Sequence, residues 1–96
     1  MRPSVALDLH RDAVRALVAA HKVANPRVFG SVAYGEDTEE SDLDLLVDAI
    51  PGTSFLDLDD LQKKLETLLG KKVDVVTSGG LSKYIRTQVL ETAVPL

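Results

Sequence analysis

The feature that most limits the fold of this 96-residue chain is a switch between helical and strand spacing of its apolar residues. Between Pro51-Gly52 and Gly70, apolar side chains recur at the three- and four-residue spacing of an amphipathic helix: Phe55, Leu58, Leu61, Leu65, Leu68 and Leu69. Ser54 is placed to cap the start of this helix and Gly70 its end. The run from Lys72 to Val76 is rich in β-branched residues and predicts a strand. The chain therefore combines helices with strands.

The rest of the chain continues this mixture. An amphipathic pattern predicts a first helix from Leu7 to Lys22, with a packing face made of Leu7, His10, Val14, Leu17, Val18 and His21. Short strands are predicted from 24 to 29 and from 42 to 47, and a last helix is marked by Leu81, Ile85 and Val89. The order predicts an α/β (α+β) fold, a small mixed β-sheet of about three strands with helices packed on it. We expect a single domain, residues 1–96.

Composition narrows the class of function. The chain has 15 acidic and 11 basic residues, a net charge of −4, and no basic cluster longer than a lysine pair. A phosphate-backbone footprint is missing, so direct nucleic-acid binding is not expected. No cysteine is available for disulfides or thiolate metal sites. No signal peptide or membrane span is recognisable, and we expect a cytoplasmic protein without a membrane partner.

The chemistry is concentrated in Gly30-Ser31, followed after ten residues by Asp42-Leu43-Asp44. Side chains alternate across a strand, so Asp42 and Asp44 project to the same face. Paired carboxylates suit magnesium, which fills its remaining positions with water and substrate phosphates. Gly30-Ser31 lies between a strand and a helical turn, where backbone N–H groups and a hydroxyl can receive phosphate oxygens. The segment predicts a phosphate and metal site.

A third acid is predicted to join this site. Asp74 lies between Val73 and Val75 in a predicted strand, where an unpaired carboxylate is costly unless it binds a metal, is exposed or is hydrogen-bonded. Taken singly, an Asp-x-Asp strand is more often a solvent-facing pair, and Gly-Ser an ordinary turn. Their combination favours a functional site made of Gly30, Ser31, Asp42, Asp44 and Asp74.

These residues carry a resemblance. The segments 29–36 and 41–47 resemble the minimal nucleotidyltransferases (MNT) of the DNA polymerase β superfamily, whose signature is Gly-Ser-x10-Asp-x-Asp, and Asp74 stands where that family has its third acidic strand. The resemblance implies a polymerase β-like nucleotidyltransferase core. It implies that Asp42, Asp44 and Asp74 are the catalytic and metal-binding residues, holding two Mg²⁺ ions. It also implies that Gly30, Ser31, Asp42 and Asp44 bind the nucleotide substrate, ATP.

The resemblance further implies a partner. Such proteins are commonly the antitoxins of HEPN/MNT toxin–antitoxin pairs, so the expected reaction transfers AMP from ATP to a hydroxyl, a tyrosine in our reading, of a HEPN-domain toxin. Asp74 is expected to accept the hydroxyl proton. One position departs from the family: Tyr34 stands where arginine is usual. A catalytically weak or inactive antitoxin that blocks its toxin sterically therefore stays as the alternative, and the assembly that we expect is a homodimer or a hetero-oligomer with the toxin.

Four other groups of residues are candidates for a role. The acidic run Glu36, Asp37, Glu39 and Glu40 is interpreted as a solvated loop. His10 and His21 lack metal-ligand spacing and are interpreted as packing residues at the helix edge. Two further sets have open roles: Lys83 and Arg86 as triphosphate contacts or surface charges, and Val94 and Leu96 as partner-contact residues.

Overall fold

The computed structural model describes residues 1–96 and contains a four-stranded sheet in the order β3-β2-β1-β4. The strands are β1 (Val23–Phe29), β2 (Leu43–Ala49), β3 (Val73–Thr77) and β4 (Val94–Pro95). The helices are α1 (Pro3–Leu9), α2 (Arg11–Ala19), α3 (Ser31–Tyr34), α4 (Phe55–Leu69) and α5 (Lys83–Thr92), with a 3₁₀ turn at Ser78–Gly80. Strand β2 runs antiparallel to β1 and parallel to β3. The predicted mixed sheet with packed helices is confirmed.

The fourth strand was not predicted. Val94 pairs with Val28 and Pro95 with Arg27, antiparallel to β1, and the Leu96 amide donates to the Pro26 carbonyl at 3.2 Å. A two-residue segment that contains proline carries no strand pattern of its own. The pairing of this segment therefore depends on the tertiary fold, which brings residues 94–95 next to β1.

The first predicted helix is two helices. The chain leaves helical geometry at His10, with φ −121° and ψ 20°, and resumes in α2. Leu7, Val14 and Val18 are buried, but His10 is exposed, so its prediction as a packing residue is wrong. Neither proline nor glycine marks the break, and both helices contact α4. Packing against α4 thus overrides a continuous local pattern.

Alternation along β2 separates the core from the site. Leu43, Leu45 and Val47 are fully buried beneath the helices, and Asp44 and Asp48 lie on the opposite face, where Leu46 between them is also buried. The cluster of buried core residues comprises Ala6, Leu7, Val14, Val18, Val23, Val28, Leu43, Leu45, Val47, Leu61, Leu65, Leu69 and Val73. Each fully buried leucine contributes about 1.5–3 kcal/mol.

Helix α4 begins and ends as predicted, but Phe55 at its first position is 89% exposed, so the packing stripe does not include it. Ser54 and Asp57 form a reciprocal capping box at its start, and Gly70 ends it in the left-handed region. Side chains of α4 also hydrogen-bond to the edge of the sheet. The Gln62 side-chain oxygen accepts the Val75 amide at 3.0 Å, and the Glu66 carboxylate accepts the Val73 amide at 3.1 Å. None of the helices combines the length and apolar character needed to cross a bilayer.

Candidate functional site

The three predicted acids lie together on the face of the sheet away from the core. Asp42 directly precedes β2, Asp44 is its second residue, and Asp74 of β3 is the register partner of Asp44. All three are half-buried. Neighbouring strands are about 4.8 Å apart, so register partners bring their side chains close. The structure therefore assembles from two strands the acids that the sequence separates by 30 positions.

The charge at this cluster is poorly compensated. The pKa of Asp44 is raised above its ordinary value by burial first, and then by the negative charges of Asp74 and Asp42. Asp44 lies between the other two acids, in the more central strand. Such a site attracts a cation.

Gly30 lies directly against Asp44. Phe29 is the register partner of Asp44, so Gly30 follows at the end of β1 beside the acid. Its φ of 70° with ψ of −148° belongs to a region open essentially to glycine alone. A Cβ at this position would lie 2.5 Å from Asp44 Oδ2. We expected glycine here for the approach of a phosphate; the close approach that the structure shows is to a carboxylate.

Ser31 begins the one-turn helix α3. It is half-buried, and its carbonyl accepts the Glu36 amide at 2.9 Å. Gly35 closes the turn in the left-handed region, with φ 71° and ψ 22°. The first amides of a helical turn have no partner within the helix. Ser31 and the first amides of this turn therefore follow directly after Gly30, which is the residue that lies against Asp44.

The acids suit a metal by chemistry, but their side chains do not yet form a closed site. Carboxylate oxygens are preferred ligands of Mg²⁺, and a divalent cation would relieve the repulsion that raises the pKa of Asp44. As the side chains stand, no three histidine, aspartate or glutamate groups are spaced to hold an ion. The Asp42 carboxylate instead lies 4.0 Å from the Lys72 ammonium. The donor set fits magnesium; its present arrangement is open.

The acidic loop before Asp42 is not solvated throughout. Asp37 is only 5% exposed, and its carboxylate accepts the Ser4 amide at the start of α1 at 2.9 Å. Burial raises the pKa of Asp37, but hydrogen bonds from Ser4 outweigh it and the net direction is downward. The interpretation as a solvated loop is wrong at this residue. Because Ser4 is 33 positions away, no local spacing signalled the contact.

Lys83 and Arg86, whose roles the sequence left open between triphosphate contacts and surface charges, both have partners within the chain. Arg86 donates to the backbone carbonyls of Ser78 and Leu81 at 3.0 and 2.9 Å. Lys83 lies over the ring of Tyr84, 5.4 Å from its centroid. Arg86 is therefore occupied in holding α5 to the preceding turn. The cation that does lie at the acids, Lys72, was missed by sequence reasoning.

His21 was interpreted as a packing residue, and it is buried with a polar role. Its Nδ1 lies 2.6 Å from the Leu17 carbonyl and its Nε2 lies 2.8 Å from Asp60 Oδ2. The ring thereby links the end of α2 to α4. Both contacts are on the helical side of the sheet, away from the acids.

The acids stand on an open surface. A cavity of about 370 Å³ lies between α2, β1 and the C-terminal residues, and none of the three acids lines it. No other cavity of the chain is lined by them either. A substrate at the acids would thus be covered on one side only by this chain.

Known proteins are similar to this chain in sequence and in fold. A family model described as a nucleotidyltransferase domain matches residues 7–96. The protein adenylyltransferase MntA of Thermococcus cleftensis is 37% identical over 89 residues, which cover 84% of this chain and 90% of that protein. The chain spans nearly the whole of this relative.

Solved structures with a similar fold include two nucleotidyltransferase-related chains. One described provisionally as a minimal nucleotidyltransferase is 48% identical, with a TM-score of 0.87 over 97% of this chain and 95% of the other. A chain from the complex of a tri-AMPylated HEPN toxin of Shewanella oneidensis with an MNT antitoxin has a TM-score of 0.70 over 92% of this chain and 69% of the other. At 22% identity the second likeness concerns the fold alone. With Gly30-Ser31 beside Asp42, Asp44 and Asp74, and with a family match over residues 7–96, the chain belongs to the nucleotidyltransferase-domain family, among the minimal nucleotidyltransferases.

Proposed function

We propose that this chain transfers AMP from ATP to a tyrosine hydroxyl of a HEPN-domain protein and thereby neutralises that partner as a toxin. The observation that carries the proposal is the meeting of Asp42, Asp44 and Asp74 beside Gly30-Ser31. The name of the Thermococcus relative, protein adenylyltransferase, supports the reaction. The Shewanella complex, which pairs an AMPylated HEPN toxin with an MNT antitoxin, supports the partner.

The acids are proposed to hold magnesium. Asp44 lies in β2, Asp42 directly precedes that strand, and Asp74 faces Asp44 from β3, so all three offer carboxylate oxygens at one place. Magnesium, when bound, would neutralise phosphate charge and lower the pKa of the attacking hydroxyl. Binding of two ions is the arrangement expected from the family resemblance. Gly30 and Ser31 are proposed to hold phosphate oxygens with backbone amides and the Ser31 hydroxyl.

The chemical step is a displacement at the α-phosphorus. The acceptor hydroxyl oxygen forms a bond to that phosphorus, while the bond to the bridging oxygen of the β-phosphate breaks and pyrophosphate leaves. The hydroxyl proton passes to a carboxylate, which we assign to Asp74. Asp74 lies in β3 at the edge of the sheet, where an acceptor can approach from outside. Asp44, wedged against Gly30, is held in place.

The open face is the reason for proposing a protein acceptor. No cavity of the chain encloses the three acids, and the chain has only four aromatic residues for stacking on a base. A partner surface would supply both the second wall and the nucleophile. It would also exclude water, which competes as an acceptor.

The test is a transfer reaction followed by intact-mass spectrometry. Purified chain, its HEPN partner, Mg²⁺ and ATP are incubated, and the partner is weighed before and after. We expect mass increments of AMP that peptide mapping places on tyrosine, and their loss with Asp42→Asn. Asp12→Asn is the matched control, since the Asp12 side chain is fully exposed on α2. It should transfer AMP at the wild-type rate.

The alternative is an antitoxin that acts by binding alone. Tyr34, where the family usually has arginine, is 51% exposed at the end of α3 and supplies no cation to a phosphate. A stable complex with an unmodified partner, and neutralisation that survives Asp42→Asn, would establish this alternative and refute the transferase. Transfer to a small molecule or to RNA without any protein partner would refute both.

A further inference from the structure

Lys72 lies beside Asp42, one of the three acids. It directly precedes β3, and its carbonyl accepts the Leu43 amide at 3.0 Å, which fixes its backbone beside the start of β2. Because Lys72 and Asp74 are two residues apart in an extended segment, their side chains share a face of the sheet. The Lys72 ammonium lies 4.0 Å from the Asp42 carboxylate. The site thus consists of three carboxylates and one ammonium.

This ammonium is only loosely held. Its side chain is 67% exposed and that of Asp42 is 42% exposed. An exposed ion pair at this distance is worth little, at most about 1 kcal/mol. Lys72 can therefore leave Asp42 for a ligand with more negative charge.

Most other cations of the chain have partners elsewhere. Lys71, the neighbour of Lys72, donates to the Glu39 carbonyl. Arg27 is 8% exposed and bonded to Asp48 at the other end of β2. Further cations are paired with acids or carbonyls away from the site; they are Arg11, Arg15, Lys63, Lys64 and Arg86. Lys72 is the cation that pairs with a residue of the acid cluster.

We propose that Lys72 binds the β- and γ-phosphates of the nucleotide, and that its loose ion pair with Asp42 keeps it near the site until the nucleotide arrives. The inference rests on the proposed function, since it assumes that a nucleoside triphosphate occupies the acid cluster. A polyphosphate brings several negative charges to a site that already carries three carboxylates, so a local cation has to offset part of the repulsion. The same ammonium opposes a metal ion at Asp42 in the absence of nucleotide. Lys72 therefore makes tight metal binding depend on the nucleotide.

The test is isothermal titration of the full chain with two probes. With the non-hydrolysable analogue AMP-PNP and Mg²⁺, Lys72→Met is expected to bind about tenfold more weakly, the loss of one charge-assisted contact. With AMP, which lacks the outer phosphates, its affinity should stay within about twofold, a difference below 0.5 kcal/mol. Lys72→Arg should restore most of the AMP-PNP affinity. Lys71→Met, the matched control, should bind both probes as the wild type does.

Titration with Mg²⁺ alone separates this role from a general loss of structure. We expect Lys72→Met to bind Mg²⁺ about two- to threefold more tightly than the wild type, since one repelling charge is gone. A damaged fold would weaken both metal and nucleotide binding. Unchanged AMP-PNP affinity in Lys72→Met, or an equal loss for AMP and AMP-PNP, would overturn the inference while leaving the proposed function intact. A wild-type chain that binds no AMP-PNP would overturn both.

Discussion

Replacing Gly30 with alanine is expected to damage stability and the site together. The backbone of Gly30 has φ 70° and ψ −148°, a conformation that costs other residues about 1–3 kcal/mol. The new Cβ would also lie 2.5 Å from Asp44 Oδ2, so this carboxylate would have to rotate away. Together we expect a loss of about 2–3 kcal/mol, or roughly 10–20 °C in the melting temperature of a domain of this size.

Gly35→Ala is the matched control. Gly35 has a similar φ of 71°, but its ψ of 22° is in the left-handed helical region, and nothing lies within 4 Å of a Cβ built there. The expected loss is about 1 kcal/mol, or roughly 4–8 °C. The two variants therefore make the same chemical change with and without contact to the acids.

Circular dichroism melts and titration with AMP-PNP and Mg²⁺ measure the two effects separately. We expect Gly30→Ala to melt well below Gly35→Ala and to lose nucleotide affinity, because Asp44 is displaced. Gly35→Ala should keep its affinity. If Gly30→Ala melts within about 2 °C of Gly35→Ala, or binds nucleotide as the wild type does, the contact between Gly30 and Asp44 does not have the importance assigned to it.

Two further predictions concern buried charge. The pKa of Asp44 is raised in the folded state, so its ionisation opposes folding, and stability falls as pH rises through the interval from the unfolded to the folded pKa. At neutral pH without metal, Asp44→Asn should raise the free energy of unfolding by about 0.5–1 kcal/mol, a value discounted for solvent screening. A melting temperature below that of the wild type in EDTA would contradict this. Asp37→Ala should lose about 1–2 kcal/mol by leaving the Ser4 amide without its acceptor. The pKa of Asp37 is lowered in the folded state, so its carboxylate stabilises the fold at pH values above the ordinary aspartate pKa, and this stabilisation disappears as pH falls through the folded-state pKa. If Asp37→Ala lost as much stability at strongly acid pH as at neutral pH, the charge-assisted bond would be refuted.

Much of the fold followed from local patterns. The helix between Ser54 and Gly70 was predicted with its caps, because capping and apolar spacing act within a few residues. The strands β2 and β3 were predicted to within two residues of their observed ends. The break at His10 and the strand β4 were not, since both arise from contacts with distant segments, α4 and β1 respectively. Nothing within either segment signals those contacts.

The candidate site divides in the same way. The alternation of side chains in a strand was enough to place Asp42 and Asp44 on one face, and the motif Gly-Ser-x10-Asp-x-Asp was enough to predict the family that the comparisons bear out. The roles assigned to these residues stay predictions for the assays above. The burial of Asp37 had no local signal, because its partner Ser4 lies in α1, 33 positions away.

The sequence by itself determined where the acidic residues stand, which side chains share a face of a strand, and where helix α4 begins and ends. Only the tertiary structure decided that Asp74 is the register partner of Asp44, that Gly30 touches the Asp44 carboxylate, and that Lys72 faces Asp42. The physical reason is the range of the interactions. Periodicity and capping depend on neighbours along the chain, whereas register, close approach and the raised pKa of Asp44 depend on strands that meet only when the hydrophobic core has brought them together.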